Sequence, residues 1–128
     1  MSVAAKNDLG QRLRDLHRYI REGRILDAMN EFYADDVAMQ ENANRPTVGL
    51  QANIEREKQF LSGVKEWKGF EVKAVGIGHD VTFYEAVFDF IGTDGAPVHI
   101  EQVDVAHWRD GKIVHERFYY DTGGQATT

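Results

Sequence analysis

Cysteine is absent from the sequence, and proline occurs only twice. The lack of cysteine excludes disulfide bonds, thiol catalysis and thiolate-bound metal ions. No apolar run approaches the roughly 20 residues that a membrane-spanning helix needs. Residues 1–7 also lack the basic start and apolar centre of a secretory signal. We therefore expect a cytoplasmic protein that has no membrane partner.

Positive charge is in the minority, because 15 lysines and arginines stand against 21 aspartates and glutamates. A phosphate backbone is bound through a basic face, so we expect no nucleic acid as a partner. The 128 residues include 42% hydrophobic and 28% charged side chains. That length and balance are typical of one globular domain, and we place its ordered core at about residues 8–121.

Motifs for cofactors and metal ions are also missing. The glycines of Gly76–Gly78 close a predicted strand and precede no helix, which excludes a phosphate-binding loop. The five histidines include no pair at the i, i+4 spacing of a helical metal site. We therefore expect neither a cofactor nor a bound metal ion.

Helices are predicted first along the chain. Apolar residues recur on one stripe of the first helix, at Leu9, Leu13, Leu16 and Ile20. Asn7 or Asp8 can cap its start, and Gly23 ends it. A second, shorter helix begins at about Arg24 and runs out at Ala34–Asp36. These two elements form a helical hairpin.

A third helix starts near Gly49 and ends near Gly63. Its apolar face carries Leu50, Ile54, Leu61 and Val64. Its wet face carries Gln51, Glu55, Arg56 and Lys58. This pattern predicts a helix that packs on a core with one face and meets solvent with the other.

The remainder of the sequence changes to a period of two, which is typical of strands. Four extended runs follow, at about residues 70–77, 81–91, 98–108 and 112–120. Compact turns that contain Asp-Gly pairs connect the last three runs as hairpins. A short strand at residues 37–41 and a loop at 42–49 precede the third helix. This order predicts an α+β fold: a cone-shaped, curved antiparallel sheet packed against three N-terminal helices, with a hollow interior.

Alternation along the two central strands predicts which side chains face the hollow interior. Even-numbered positions face inward in the first of them, which places Phe88 and Phe90 there. The same phase in the next strand turns Gln102, Asp104 and Trp108 inward. A β-bulge near Glu101 or Gln102 would reverse the phase and turn Asp104 to the surface.

The last strand and the outer face of the sheet follow from the same alternation. Glu116 faces inward together with Phe118 and Tyr120. Val103 and Val105 then lie on the outer face, where they need a cover. A second copy of the same sheet would supply that cover, so we expect a homodimer through the outer sheet face.

Two segments carry a resemblance to a known family. They are Phe32–Val37, at the end of the second helix, and the last hairpin, Val103–Val114. Both resemble segments of the nuclear transport factor 2-like superfamily, which includes ketosteroid isomerases and SnoaL-like polyketide cyclases. The resemblance covers about Leu9 to Asp121 and implies the cone fold of that superfamily.

The same resemblance implies two catalytic positions. Ketosteroid isomerases carry a carboxylate base a few residues after the helix end, and the matching position here is Glu41. Their oxyanion-donating aspartic acid matches Asp104. Leu16 stands where those enzymes present a tyrosine. Half of the expected oxyanion hole is therefore missing, and steroid isomerisation is not the expected reaction.

Combining these positions predicts one site. We expect three catalytic carboxyls to converge there, those of Glu41, Asp104 and Glu116. Apolar surroundings would separate their pKa values, and groups with separate pKa values can act as acid and base at one pH. The ligand-binding residues are expected to be Tyr33, Trp67, Phe88, Phe90, Gln102, Trp108, Phe118 and Tyr120. The expected ligand is a small hydrophobic organic molecule.

Structural roles are the alternatives for each carboxyl. Glu41 can end a strand in solvent, and Asp104 can accept from backbone amides or bind Arg117. Glu116 can pair with Arg45 or with a lysine on the rim of the cavity. Three functions stay open: a cofactor-free isomerase, cyclase or hydratase acting on a cyclic or polyketide-like molecule, a binding module without turnover, and a structural dimer with a vestigial cavity. A pocket that holds all three carboxyls would favour the enzyme.

Overall fold

The structure is a computed structural model that describes residues 8–121. The helices are α1 (Leu9–Arg21), α2 (Ile25–Phe32) and α3 (Leu50–Ser62). The strands are β1 (Tyr33–Glu41), β2 (Thr47–Val48), β3 (Val64–Gly78), β4 (Val81–Gly92), β5 (Pro97–Arg109) and β6 (Lys112–Tyr120). The predicted α+β class is confirmed, and the predicted tail at residues 123–128 lies outside the described part.

Helix α1 begins and ends where the sequence predicts. The side chain of Asp8 accepts a hydrogen bond from the backbone N–H of Gln11 at 2.9 Å, which satisfies a free donor of the first turn. The stripe through Leu13 and Leu16 is buried against the sheet. Gly23 follows the helix with a φ of +75°, a left-handed conformation that glycine adopts without a steric penalty.

The end of α2 differs from the prediction. The helix stops at Phe32, and Tyr33 is already extended, with φ of −108° and ψ of 137°. The prediction of a helix end at Ala34–Asp36 is therefore wrong. Tyr33 pairs with Ile113 of β6, so a neighbouring strand satisfies its backbone groups in place of another helical turn. Strand β1 consequently starts four residues before the predicted Val37.

The sheet has the strand order β2-β1-β6-β5-β4-β3 and is not closed. Every neighbouring pair is antiparallel except β1 and β6, which run parallel. The predicted loop at 42–49 contains the short strand β2, which pairs with Ala38 and Met39. Strand β3 begins at Val64 rather than near residue 70, and irregular pairing between Trp67 and Gly69 obscures its period of two.

The phase of β5 is unbroken. Strands β4 and β5 pair without interruption from Val81 opposite His107 to Ile91 opposite Pro97. The prediction without a bulge is therefore confirmed, and Asp104 faces the interior with 0% exposure.

The helices cover the inner face of the sheet, and no element within residues 8–121 covers the outer face. Phe83, Val103 and Tyr119 belong to that outer face and are 40–42% exposed. No helix within residues 8–121 combines the length and apolar character of a membrane span.

Candidate functional site

A cavity of about 420 Å³ lies between the inner face of the sheet and the three helices. Its wall is mainly apolar, and Ile20, Ile25 and Met29 contribute from α1 and α2. Of the eight residues predicted to bind ligand, six line it: Tyr33, Trp67, Phe88, Gln102, Phe118 and Tyr120. The parity of the strands therefore places most of the predicted binding residues in one wall.

Phe90 and Trp108 do not line this cavity. Phe90 packs behind the wall, with its ring centroid 6.4 Å from Trp67 and 5.4 Å from Phe60. Trp108 is buried in the core, where its Nε1–H donates to Oγ1 of Thr82 at 2.9 Å. Both side chains face inward as predicted, but neighbouring side chains fill the space between them and the cavity.

Glu41 lines the cavity with both carboxylate oxygens in use. Arg56 donates from Nη2 to Oε2 at 2.7 Å, and the Tyr120 hydroxyl donates to Oε1 at 3.0 Å. The bond from the arginine is charge-assisted, the stronger class of hydrogen bond. Glu41 therefore joins Arg56 and Tyr120 in a small polar network. To accept a proton from a substrate, Glu41 would have to give up one of these two hydrogen bonds.

Glu116 is the second carboxyl of the cavity wall and is only 1% exposed. The Tyr33 hydroxyl donates to its Oε1, so Arg45 is not its partner. Burial raises the pKa of Glu116, while hydrogen bonding from Tyr33 acts in the opposite direction. This arrangement leaves a carboxyl with a raised pKa beside apolar space.

Asp104 lies behind the wall and does not line the cavity. Burial raises its pKa well above the ordinary value, and the charge of Glu116 raises it further. Tyr84 and Glu116 are close enough to affect this pKa, but no group within residues 8–121 reaches either oxygen with full hydrogen-bond geometry. These effects favour the neutral form of Asp104. Arg117 is engaged elsewhere, donating to the carbonyl oxygen of Asn42.

The predicted convergence of three carboxyls is thus met in part. Glu41 and Glu116 both line the cavity, whereas Asp104 lies behind the wall and interacts electrostatically with Glu116. Two neighbouring buried carboxyls cannot both ionise readily, which adds to the rise in the pKa of Asp104. Asp104 influences the cavity through Glu116 rather than through direct contact with a ligand.

Glu57 is a third carboxyl of the wall, and the sequence did not single it out. Burial raises the pKa of Glu57 from 4.5 to about 7, and the charges of Glu116 and Glu41 add to this effect. The neighbouring Arg56 opposes it. Glu57 makes no hydrogen bond or ion pair with any side chain of the described region.

A stripe of α3 presents Glu57 to the cavity. Its members are Asn53, Arg56, Glu57 and Phe60, at the i, i+3, i+4, i+7 spacing of one helix face. The prediction that Arg56 lies on the wet face is only half correct, because its guanidinium reaches Glu41 at the cavity. The spacing was available in the sequence, but three polar residues on the stripe concealed it.

Leu16, which stands at the family's tyrosine position, is buried in the core. The adjacent His17 packs its ring 4.4 Å from that of Tyr84. Burial lowers the pKa of His17 to about 4, with a contribution from Arg21, so the imidazole is neutral. The phenol nearest to a cavity carboxyl is instead Tyr33, which comes from the start of β1. No group of His, Cys, Asp and Glu side chains in residues 8–121 is arranged to hold a metal ion.

Comparison with known proteins identifies the class and then the family. The structure is similar to a nuclear transport factor 2-like protein of unknown function from Burkholderia pseudomallei, with a TM-score of 0.77, 14% identity, and coverage of 88% of this chain and 90% of that one. It is also similar to a protein of Mesorhizobium loti that is provisionally described as a SnoaL-like polyketide cyclase, with a TM-score of 0.73, 24% identity, and coverage of 88% and 98%. These likenesses establish the fold.

The model of the SnoaL-like polyketide cyclase family matches residues 11–127. The chain therefore belongs to the SnoaL-like family. A search of curated proteins finds no significant match.

Proposed function

We propose that the protein is a cofactor-free acid/base enzyme, an isomerase, cyclase or hydratase, acting on a small cyclic or polyketide-like molecule. The observation that carries the proposal is Glu116, a carboxyl with a raised pKa that faces an apolar cavity and is held by Tyr33. Structural neighbours from Bacillus subtilis and Rhodopseudomonas palustris, provisionally described as isomerases, are consistent with such chemistry.

The proposed chemistry is proton transfer at a carbon next to a carbonyl group. A base is most effective when its pKa lies near the working pH, and burial moves the pKa of Glu116 in that direction. Tyr33 fixes the orientation of the carboxyl through its hydrogen bond. Glu116 takes the proton on one oxygen and returns it to another carbon of the same substrate, so no external reagent is consumed.

Deuterium exchange tests this proposal without a known substrate. A bicyclic ketone such as 2-tetralone is incubated with the protein in D₂O, and loss of its α-proton signals is followed by NMR. We expect the wild-type protein to accelerate exchange and Glu116→Gln to reduce that acceleration by about 10²-fold, the usual contribution of a general base. The solvent-facing Glu55→Gln serves as the matched control. Equal exchange with and without the wild-type protein would contradict the proposal.

Binding without turnover is the second candidate, and the geometry of Glu41 favours it. The carboxylate that the family resemblance assigns as base is bound by both Arg56 and Tyr120. A binding module would be stabilised by the same ketone, by about 2.7 kcal/mol at 100 times its dissociation constant. Stabilisation in a thermal-shift assay together with no exchange would select this candidate.

We also propose that two copies of the chain pair through their outer sheet faces. Phe83, Val103 and Tyr119 form an exposed apolar patch across three adjacent strands, β4 to β6. A charge introduced at its centre would be buried without a partner in the dimer. Val103→Glu is therefore expected to convert a dimer to a monomer in sedimentation velocity, and Glu101→Gln, on the same face, is expected to leave it dimeric. A wild-type monomer would contradict this assignment.

A further inference from the structure

The charges of the cavity wall are unbalanced. In the described part of the chain, three carboxyls line it, those of Glu41, Glu57 and Glu116, against the one guanidinium of Arg56. That guanidinium is already used, because it donates to Glu41 at 2.7 Å and to Oγ1 of Thr47 at 3.1 Å. Among residues 8–121, no positive charge of the wall is therefore left for a ligand.

Glu57 is the carboxyl of the wall that is left without a partner. Glu41 is bound by Arg56 and Tyr120, and Glu116 is bound by Tyr33. No side chain of residues 8–121 donates to Glu57. Glu57 is half-buried and lines the cavity, so water in the cavity is what its carboxyl meets. A ligand donor that takes the place of this water gains a charge-assisted hydrogen bond.

Aromatic rings provide the other half of the site. Trp67 and Phe88 are stacked, with ring centroids 5.9 Å apart, and both line the cavity with Phe60. The faces of such rings attract a positive charge and also accommodate a flat ring system. The cavity thus combines an aromatic wall with one unpartnered acid.

We propose that Glu57 binds the polar end of the ligand, and that the ligand carries a proton-donating head group, best a protonated amine, on a ring system. This inference rests on the proposed function of the same cavity and names its ligand class. A carboxylate or phosphate ligand is disfavoured, because it would meet the unpaired carboxyl of Glu57 and no free cation among residues 8–121.

Matched probes test the ligand class. The probes are 2-naphthylmethylamine, 2-naphthylmethanol and 2-naphthoic acid, which share one ring system and present a cation, a neutral donor and an anion. We expect calorimetry at about pH 7.5 to give an amine affinity at least tenfold above that of the alcohol, and no measurable binding of the acid. Glu57→Gln should lower the amine affinity to that of the alcohol, while the alcohol binds as before.

The control is Glu55→Gln, which changes a solvent-facing carboxyl of the same helix and should alter none of the affinities. An amine that binds Glu57→Gln as tightly as the wild type, or an acid that binds as tightly as the amine, would overturn the inference. Binding of the alcohol without any preference for the amine would overturn it and leave the proposed function intact. Failure of all three probes would overturn both.

A second measurement uses the wild-type protein alone. The other titratable or charged side chains of the cavity wall are Tyr33, Glu41, Arg56, Tyr84, Glu116 and Tyr120. Glu57 loses its charge as the pH falls through its pKa of about 7. We expect the amine affinity to fall at least fivefold between about pH 8 and pH 5.5, with the alcohol unaffected. An amine affinity that stays constant over this range would count against Glu57.

Discussion

Replacing Glu57 by Gln is expected to raise the free energy of unfolding at about pH 8 by up to about 3 kcal/mol, and to leave it nearly unchanged at about pH 4. In the folded protein, burial raises the pKa of Glu57 from 4.5 to about 7. Between these values the folded state holds a proton that the unfolded state has released. The wild-type protein therefore loses stability as the pH rises through this window, and the glutamine variant does not.

His17 acts in the opposite direction over nearly the same window. Its pKa is lowered from 6.5 to about 4, so the unfolded state binds a proton that the folded state refuses. This group makes the wild-type protein gain stability as the pH rises from about 4 to 6.5. The effects of His17 and Glu57 oppose each other, so the wild-type profile alone reveals neither, and single variants are required.

Urea unfolding at several pH values measures the difference between Glu57→Gln and the wild type. The expected difference grows between about pH 4.5 and 7 and is constant above that range. Glu55→Gln, on the exposed face of α3, should follow the wild-type profile throughout. A difference between Glu57→Gln and the wild type that is the same at pH 4.5 and pH 8 would show that the pKa of Glu57 is not raised by folding.

The fold was predictable because its signals are local. The apolar stripe through Leu13 and Leu16, the Asp-Gly turn at Asp110 and Gly111, and the parity of β5 each depend on a few neighbouring residues. The parallel pairing of β1 with β6 was not predictable, since it joins residues about 80 positions apart. Tyr33 was assigned to a helix end for the same reason: its strand partner, Ile113, is distant in the sequence.

For the candidate site, the sequence predicts which side chains face the interior but not which of them line the cavity. Strand parity turned Asp104, Phe90 and Glu116 inward, and all three do face inward. Only Glu116 reaches the cavity, because side chains from other elements decide where the open space lies. Glu57 escaped prediction for a related reason: a polar residue on a helix indicates solvent unless the packing angle of that helix is known.

Removing the hydrogen bond between Tyr33 and Glu116 is expected to have the second large effect on the free energy of unfolding. Tyr33→Phe keeps the ring and removes the hydroxyl that donates to Glu116. A buried carboxyl that loses its donor costs about 2–3 kcal/mol when it is charged and about 1 kcal/mol when it is neutral. The loss of stability measured by urea unfolding should therefore be smallest at low pH and should increase as the pH rises and Glu116 ionises.

Tyr120→Phe provides the matched comparison, because it removes a hydroxyl that donates to the other wall carboxylate, Glu41, at 3.0 Å. Glu41 is 36% exposed and retains Arg56, so solvent and the guanidinium replace the lost hydroxyl. Tyr120→Phe is expected to lower the free energy of unfolding by less than about 1 kcal/mol, with little change with pH. If the two variants lose the same free energy of unfolding at every pH, Glu116 stays neutral up to the highest pH tested. In that case Glu116 could serve only as a proton donor, and the α-proton exchange proposed for it would require a different base.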